Sequence, residues 1–339
     1  MDACVGMQWK VAYTDLPQQF DRQEKELTEA FWRVMSGGEF ILRAEVEKFE
    51  DNLSKFLGVK HVIGVNSGTD ALYLSVKAAG IGPGDEVITV NHTFIATLSA
   101  IKNAGATPVI AEIGDDYCMD AGQIEDLITR KTKAILPVHL NGRMADMAEI
   151  NAIASKNGLI VIEDACQALG ASINDKKSGS WGLAGCFSTH PMKILSGCGD
   201  GGFISTNDDF MASKLRFMRN HKGDPYGYNS RLDNLQAALL NVKFMDIWGQ
   251  IVRRREIAEH YDKLLGHLPL KLPPAPEKEP FDVFNSYVVK NGNLTKHLRE
   301  NGIEAFSHIS DNVCSLPIHG SMTLDDVKEV VKVVDAYYA

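Results

Sequence analysis

Short apolar runs alternate with amphipathic stretches through the first two-thirds of the chain. His61 to Val65, Glu86 to Val90, Thr107 to Ile110, Ala134 to Val138 and Leu159 to Ile162 read as strands, and the segments between them carry helical spacing. Such alternation predicts right-handed crossover units and a mostly parallel sheet covered on both faces, an α/β architecture. Ligands of such sheets gather at the carboxyl ends of the strands, where Asp164 follows the last run.

From Arg231 to about Leu265 the pattern changes to a long helical stretch, with Leu235, Ala238, Leu239 and Val242 at helical spacing. The Pro-rich segment from Leu268 to Pro276 then interrupts regular structure. Beyond it, a strand near Ser286 to Val289 and helices near Thr295 to Glu300 and Leu324 to Tyr337 predict a smaller α+β unit. The expected division is a large domain over residues 1–240, with an N-terminal helical segment, and a small C-terminal domain over 241–339 that begins on the connecting helix. No internal repeat or low-complexity segment is visible.

Composition narrows the function classes. The 339 residues are 45% hydrophobic and 23% charged, enough for a large core and a second unit. The formal net charge of −9 argues against a nucleic-acid surface, so an anionic small substrate would need local help from Arg231, Lys222 or Arg219. No run approaches the ~20 apolar residues of a membrane span, and Met1 to Lys10 lacks the apolar run of a secretory signal. A cytoplasmic location is expected. The six cysteines, Cys4, Cys118, Cys166, Cys186, Cys198 and Cys314, show no metal-ligand spacing, so free thiols and no metal site are expected.

The chemistry concentrates between Ile160 and Gly202. There Glu163-Asp164-Ala165-Cys166-Gln167 follows a strand, Ser188 to Lys193 comes next, and Gly199-Asp200-Gly201-Gly202 closes the stretch. A carboxylate at a strand end can hold a pyridine nitrogen protonated, a lysine can form a Schiff base and a serine can hold a phosphate, which together describe a site for pyridoxal phosphate. Ser67-Gly68-Thr69 would add backbone amides at a helix N-terminus, with glycine permitting close approach.

Together with Gly68-Thr69-Asp70-Ala71-Leu72, Gly80 to Ile88 and Gly227-Tyr228-Asn229-Ser230-Arg231-Leu232-Asp233, these blocks resemble the sugar aminotransferases of the DegT/StrS type, in the family's order and over nearly the whole chain. The resemblance implies an aspartate-aminotransferase-like fold of the type I pyridoxal-phosphate class. It makes Lys193 the Schiff-base lysine and proton shuttle, Asp164 the partner of the pyridinium nitrogen, and Gln167 the partner of the ring hydroxyl. Gly68, Thr69 and Ser188 would hold the phosphate, and Phe94 would lie against the cofactor face. Asn229 would reach the phosphate of the neighbouring subunit, which implies a homodimer with shared sites. His190 and Arg231 are candidate substrate contacts; His190 and His139 read equally well as histidines satisfied by backbone.

The implied reaction moves an amino group from L-glutamate to a keto carbon of a nucleotide-linked deoxysugar, through pyridoxamine phosphate. Gly199-Asp200-Gly201-Gly202 is similar to members acting on 3-ketosugars. A 4-ketosugar, a cyclitol or an aminoshikimate-type ketone stays open, as do a dehydratase chemistry, against which Lys193 speaks, and a non-catalytic regulatory role. Three departures from the family pattern stand out. Arg43 occupies a turn position where glycine is usual, Thr189 and Ile194 replace an aromatic and an asparagine beside the lysine, and only Ser307 to Val313 stands where relatives carry a longer loop walling the substrate site.

Overall fold

The computed structural model describes residues 9–222, 227–291, 293–307 and 312–339. Cys4 lies outside them, as do residues 308–311 of the short loop noted above. The first five strands are His61–Val65 (β1), Glu86–Val90 (β2), Thr107–Ala111 (β3), Thr132–Ile135 (β4) and Ile160–Asp164 (β5). A short hairpin pairs Ser172–Ile173 (β6) with Lys176–Lys177 (β7). Ala184–Ser188 (β8) and Gly202–Thr206 (β9) complete a seven-stranded sheet of order β1-β9-β8-β5-β4-β2-β3. Strands β8, β5, β4, β2 and β3 run parallel, and β9 lies antiparallel between β1 and β8. The α/β class and the mostly parallel sheet are as the sequence predicts.

Side chains alternate across this sheet with a period of two, so each strand feeds two cores. Val62, Ile88, Ile135, Val161, Phe187 and Phe203 pack into one layer. Ile63, Val87, Ala134, Ile162, Cys186 and Ile204 pack into the layer on the opposite face, beneath the helix Gly68–Ala78. Phe187 and Phe203 stack with centroids 4.5 Å apart, and Phe49 meets Phe203 edge-on at 5.9 Å. Burying each such side chain stabilises the fold by roughly 1.5–3 kcal/mol.

Register brings the chemistry to one end of the sheet. Gly202, at the start of β9, pairs with Val65 at the end of β1 and with Ser188 at the end of β8, while Asp164 pairs with Cys186 one strand further along. Gly202 must be glycine: a Cβ there would lie 2.5 Å from the Ser67 carbonyl carbon and 2.6 Å from the Phe187 oxygen.

The predicted helical stretch from Arg231 to Leu265 is two helices, Asn234–Phe244 and Ile247–Leu265. The break falls at Met245 and Asp246, where Asp246 leaves helical geometry (φ −105°, ψ 14°) and its carbonyl accepts from the Gln250 amide. The second helix straddles two cores: Ile247 and Ile251 join the sheet's, whereas Ile257, Ala258, Tyr261 and Leu265 join a separate one. That separate core is covered by the antiparallel pair Tyr287–Val289 (β10) and Cys314–Leu316 (β11) and by the helices Asn293–Glu300 and Leu324–Tyr338. Val11, from the N-terminal segment, packs there too.

Arg43 meets no strain. Its φ is −120°, and the left-handed geometry falls one residue earlier, on Leu42 (φ 48°).

Candidate active site

At the end of β5 the Asp164 side chain is 5% exposed. Its Oδ1 accepts from the Cys166 amide at 3.2 Å and its Oδ2 from the Thr97 hydroxyl at 2.7 Å. An ionised carboxylate has about four acceptor positions. Two are therefore filled among the described residues, and two are left for another donor. The backbone around Asp164 is fixed from both sides, its amide donating to the Pro137 carbonyl and its carbonyl accepting from the His139 amide, each at 2.9 Å.

The helix Gly68–Ala78 starts beside this carboxylate because β1 ends at Val65 and Ser67 caps the first turn, its hydroxyl accepting from the Asp70 amide at 3.1 Å. A Cβ on Gly68 would come within 2.7 Å of Ser188 Cβ and 3.0 Å of Cys166 Sγ, so only glycine lets the helix end sit against β8. Thr69 is exposed in the same turn. The Ser188 hydroxyl accepts from the His190 amide at 3.2 Å, which leaves its own proton free to donate. Unpaired first-turn amides and a hydroxyl at one place are what a phosphate needs.

Lys193 lies across the same floor. Burial holds its amine below the usual lysine range, with Cys166 and Asp164 pulling it partly back up. The Cys166 thiol is pushed well up by burial and then by Asp164, and stays protonated, donating to the Cys186 carbonyl at 3.5 Å. His190 is held below the usual histidine range by burial and then by Lys193; its Nδ1 accepts from the Met192 amide at 3.2 Å. Its proton therefore sits on Nε2 in the neutral form.

After Asp164 the chain makes a non-helical turn through Gln167. Gln167 is aimed by its own Oε1, which accepts from the Asn141 amide at 3.0 Å, so its NH₂ group is available as a donor. Asn141 presents that amide from a left-handed conformation (φ 59°). Phe94 ends the loop after β2, caps the helix Ile95–Asn103 one turn before Thr97, and is 64% exposed.

Gly68, Thr69, Phe94, Asp164, Gln167, Ser188, His190 and Lys193 thus arise at one end of the sheet. Asn229 and Arg231 make their described contacts with Asn220 instead. Asn229 is exposed and bridges to Asn220, and Arg231 donates to the Asn220 side chain at 3.2 Å. One expectation about charge is corrected. Arg219 is 7% exposed and bound to Glu50 at 2.5 Å and to the Gly64 carbonyl at 2.8 Å, which removes it from substrate binding. Lys222 is exposed, with its amine 5.9 Å from the Phe217 ring centre.

His139 resolves as structural. It is fully buried, its Nδ1 accepts from the Ala145 amide at 3.3 Å, and its Nε2 donates to Glu163 at 3.0 Å. The described cysteines are free thiols, and no described helix is long and apolar enough to cross a membrane. Sequence reasoning missed Thr93 and Thr97. Their spacing of four residues, directly after a strand end, is the one trace they leave in the sequence, and it does not point to Asp164.

A carboxylate with spare acceptor positions, a desolvated amine and a helix N-terminus beside a serine form a donor set that fits a phosphorylated pyridine aldehyde. Residues 21–310 match the DegT/DnrJ/EryC1/StrS aminotransferase family. Among relatives, the chain is 42% identical to a "Pleiotropic regulatory protein" of Geobacillus stearothermophilus, over 91% of this chain and 85% of that one. It is 44% identical to the UDP-N-acetyl-3-dehydro-alpha-D-glucosamine 3-aminotransferase of Acidithiobacillus ferrooxidans, over 78% and 74%. Among solved structures it resembles Streptomyces venezuelae DesV, crystallised in complex with a ketimine intermediate, at 32% identity with a TM-score of 0.93 over 98% of both chains.

Proposed function

The chain belongs to the DegT/DnrJ/EryC1/StrS aminotransferase family, and from that premise we propose that it transfers an amino group from L-glutamate to the keto carbon of a nucleotide-linked sugar. The observation that carries this reading is the convergence of Lys193, Asp164, Ser188 and the Gly68 helix start on one floor. Bound pyridoxal phosphate would supply an electron sink for the carbon that loses its proton. Asp164 would hold the ring nitrogen with its free acceptor positions, Gln167 the ring hydroxyl with its NH₂, and Phe94 one ring face. The phosphate would rest on the amides of Gly68 and Thr69 and on the Ser188 hydroxyl. Lys193, whose amine burial makes easier to deprotonate, would attach the cofactor and then carry the proton between the substrate carbon and the cofactor's C4′.

A 3-keto sugar is the favoured acceptor. The Gly199-Asp200-Gly201-Gly202 stretch supports it, and so does the 3-aminotransferase from Acidithiobacillus ferrooxidans. The working unit is a homodimer, with Asn229 completing the partner's phosphate site. Its exposure, together with the 64% and 63% exposure of Phe94 and Ile95 at the site's rim, supports a second chain there. The separation of the C-terminal core from the two sheet-face cores supports a division into a large sheet domain and a small C-terminal domain.

A regulatory reading has one observation in its favour, the naming of the Geobacillus relative. The two part in an absorption spectrum of purified protein with pyridoxal phosphate. Amino transfer predicts a visible band that gives way to a near-ultraviolet band on adding L-glutamate. A protein that develops no visible band is not an aminotransferase.

A further inference from the structure

One hydroxyl pair is set behind the carboxylate rather than in front of it. Thr97 is fully buried, Thr93 is 7% exposed, and their hydroxyl oxygens lie 2.8 Å apart. Thr97 Oγ1 is also 2.7 Å from Asp164 Oδ2. A threonine hydroxyl has one proton, and an ionised carboxylate can only accept, so the proton of Thr97 is committed to Asp164. Thr93 must then donate to Thr97, although either direction would satisfy that distance alone. The result is a directed chain, Thr93 to Thr97 to Asp164, that runs from just before one helix, through its first turn, to the end of β5. Successive hydroxyls of this kind polarise one another, and the bond that ends on the carboxylate is the stronger one.

Thr97 cannot swing away. Its backbone amide donates to the Phe94 carbonyl at 3.1 Å, its helix packs on the Gly68–Ala78 helix, and no solvent reaches its side chain. The carboxylate is gripped on Oδ2 by Thr97 and on Oδ1 by the Cys166 amide. Both remaining acceptor positions are thereby given a fixed direction. The same first turn starts at Phe94, so one short segment sets both an aromatic ring and the carboxylate.

We propose that Thr97, backed by Thr93, is a positioning residue that orients Asp164 toward the pyridine nitrogen of the cofactor. The inference rests on the pyridoxal phosphate reading above. It also makes a claim that reading does not: that the hydroxyl acts through the ring nitrogen and not through general packing.

The test compares two cofactors on the same protein. Thr97→Val keeps the shape and removes the hydroxyl. Its affinity is measured for pyridoxal phosphate and for the 1-deaza analogue, which has carbon where the ring nitrogen stands. Weakening of pyridoxal phosphate by about tenfold or more is expected, with binding of the analogue changed less than about twofold and Thr97→Ser restoring the difference. Thr93→Val, which removes only the outer hydroxyl, should give the same pattern at smaller amplitude. Equal weakening of both cofactors, or none of either, would overturn the positioning role. If Thr97→Val fails to fold, Thr93→Val decides by the same criterion. Wild-type protein that binds neither cofactor would instead sink the underlying assignment of the site.

Discussion

Glu163 and Asp164 are neighbours at the end of one strand, yet their carboxylates have opposite fates. Glu163, fully buried, faces away from the candidate site and accepts four bonds: from the amides of Gly179, Trp181 and Gly182 at 2.7–2.8 Å and from His139 at 3.0 Å. Every acceptor position is filled. Asp164 accepts two and holds two in reserve. Two buried carboxylates on one strand differ here in saturation, not in burial. A saturated one pins a loop, and an unsaturated one held rigid is prepared for a donor that the chain does not itself provide.

The comparison breaks first at the lysine on the unsaturated side. Lys193→Ala should abolish amino transfer and the visible band while leaving noncovalent cofactor binding, read by spectrum and by borohydride trapping; a covalent adduct that persists would remove Lys193 from its role. Asp164→Asn should lower kcat/KM at least about a hundredfold with the apo-protein's stability changed by less than about 1 kcal/mol. Glu163→Gln should do the reverse. It sets an amide NH₂ against buried N–H donors and should cost about 3 kcal/mol in denaturant unfolding, with the site chemistry of any folded fraction retained. If the two variants behave alike, saturation does not separate structure from function here.

A smaller effect tests whether the unsaturated side is shared between chains. Mixing Asn229→Ala with Lys193→Ala chains should restore about a quarter of wild-type activity, since half the dimers are mixed and each then carries one intact site. Verified mixed dimers without activity would place Asn229 in its own chain's site, and full activity of the Asn229→Ala dimer alone would place it in neither.

The smallest effect is a matter of pH. The folded protein holds the Lys193 amine below its unfolded value, so between the two the unfolded chain binds more protons and stability rises with pH. Apo Lys193→Met should therefore be more stable than apo wild type at neutral pH. That gap should close as the pH climbs toward the ordinary lysine value; a gap constant with pH would mean the lysine is not buried as described.

Much of this was legible in the chain, for identifiable reasons. Strands β1 and β2 have the predicted bounds because they are apolar runs buried on both faces. Strands β8 and β9 were silent because glycines that close packing demands interrupt their short apolar runs: a Cβ on Gly185 would collide with Gly179, and Gly202 abuts Ser67. Asp164 and Lys193 could be named because their blocks stand in a recognisable order. Thr97 could not, because its partner lies 67 residues away and threonine in a helix has many ordinary explanations. The helix break at Asp246 was hidden because the apolar spacing runs through it almost unaltered.

The helix Ile247–Leu265 threads one rigid rod through two hydrophobic layers, with Ile251 in one and Tyr261 in the other. Neither layer can melt without stripping half the rod, so the two halves should lose their amide protection in one cooperative opening. Hydrogen exchange at those two amides would then report a single free energy, and heat would break the molecule as one body.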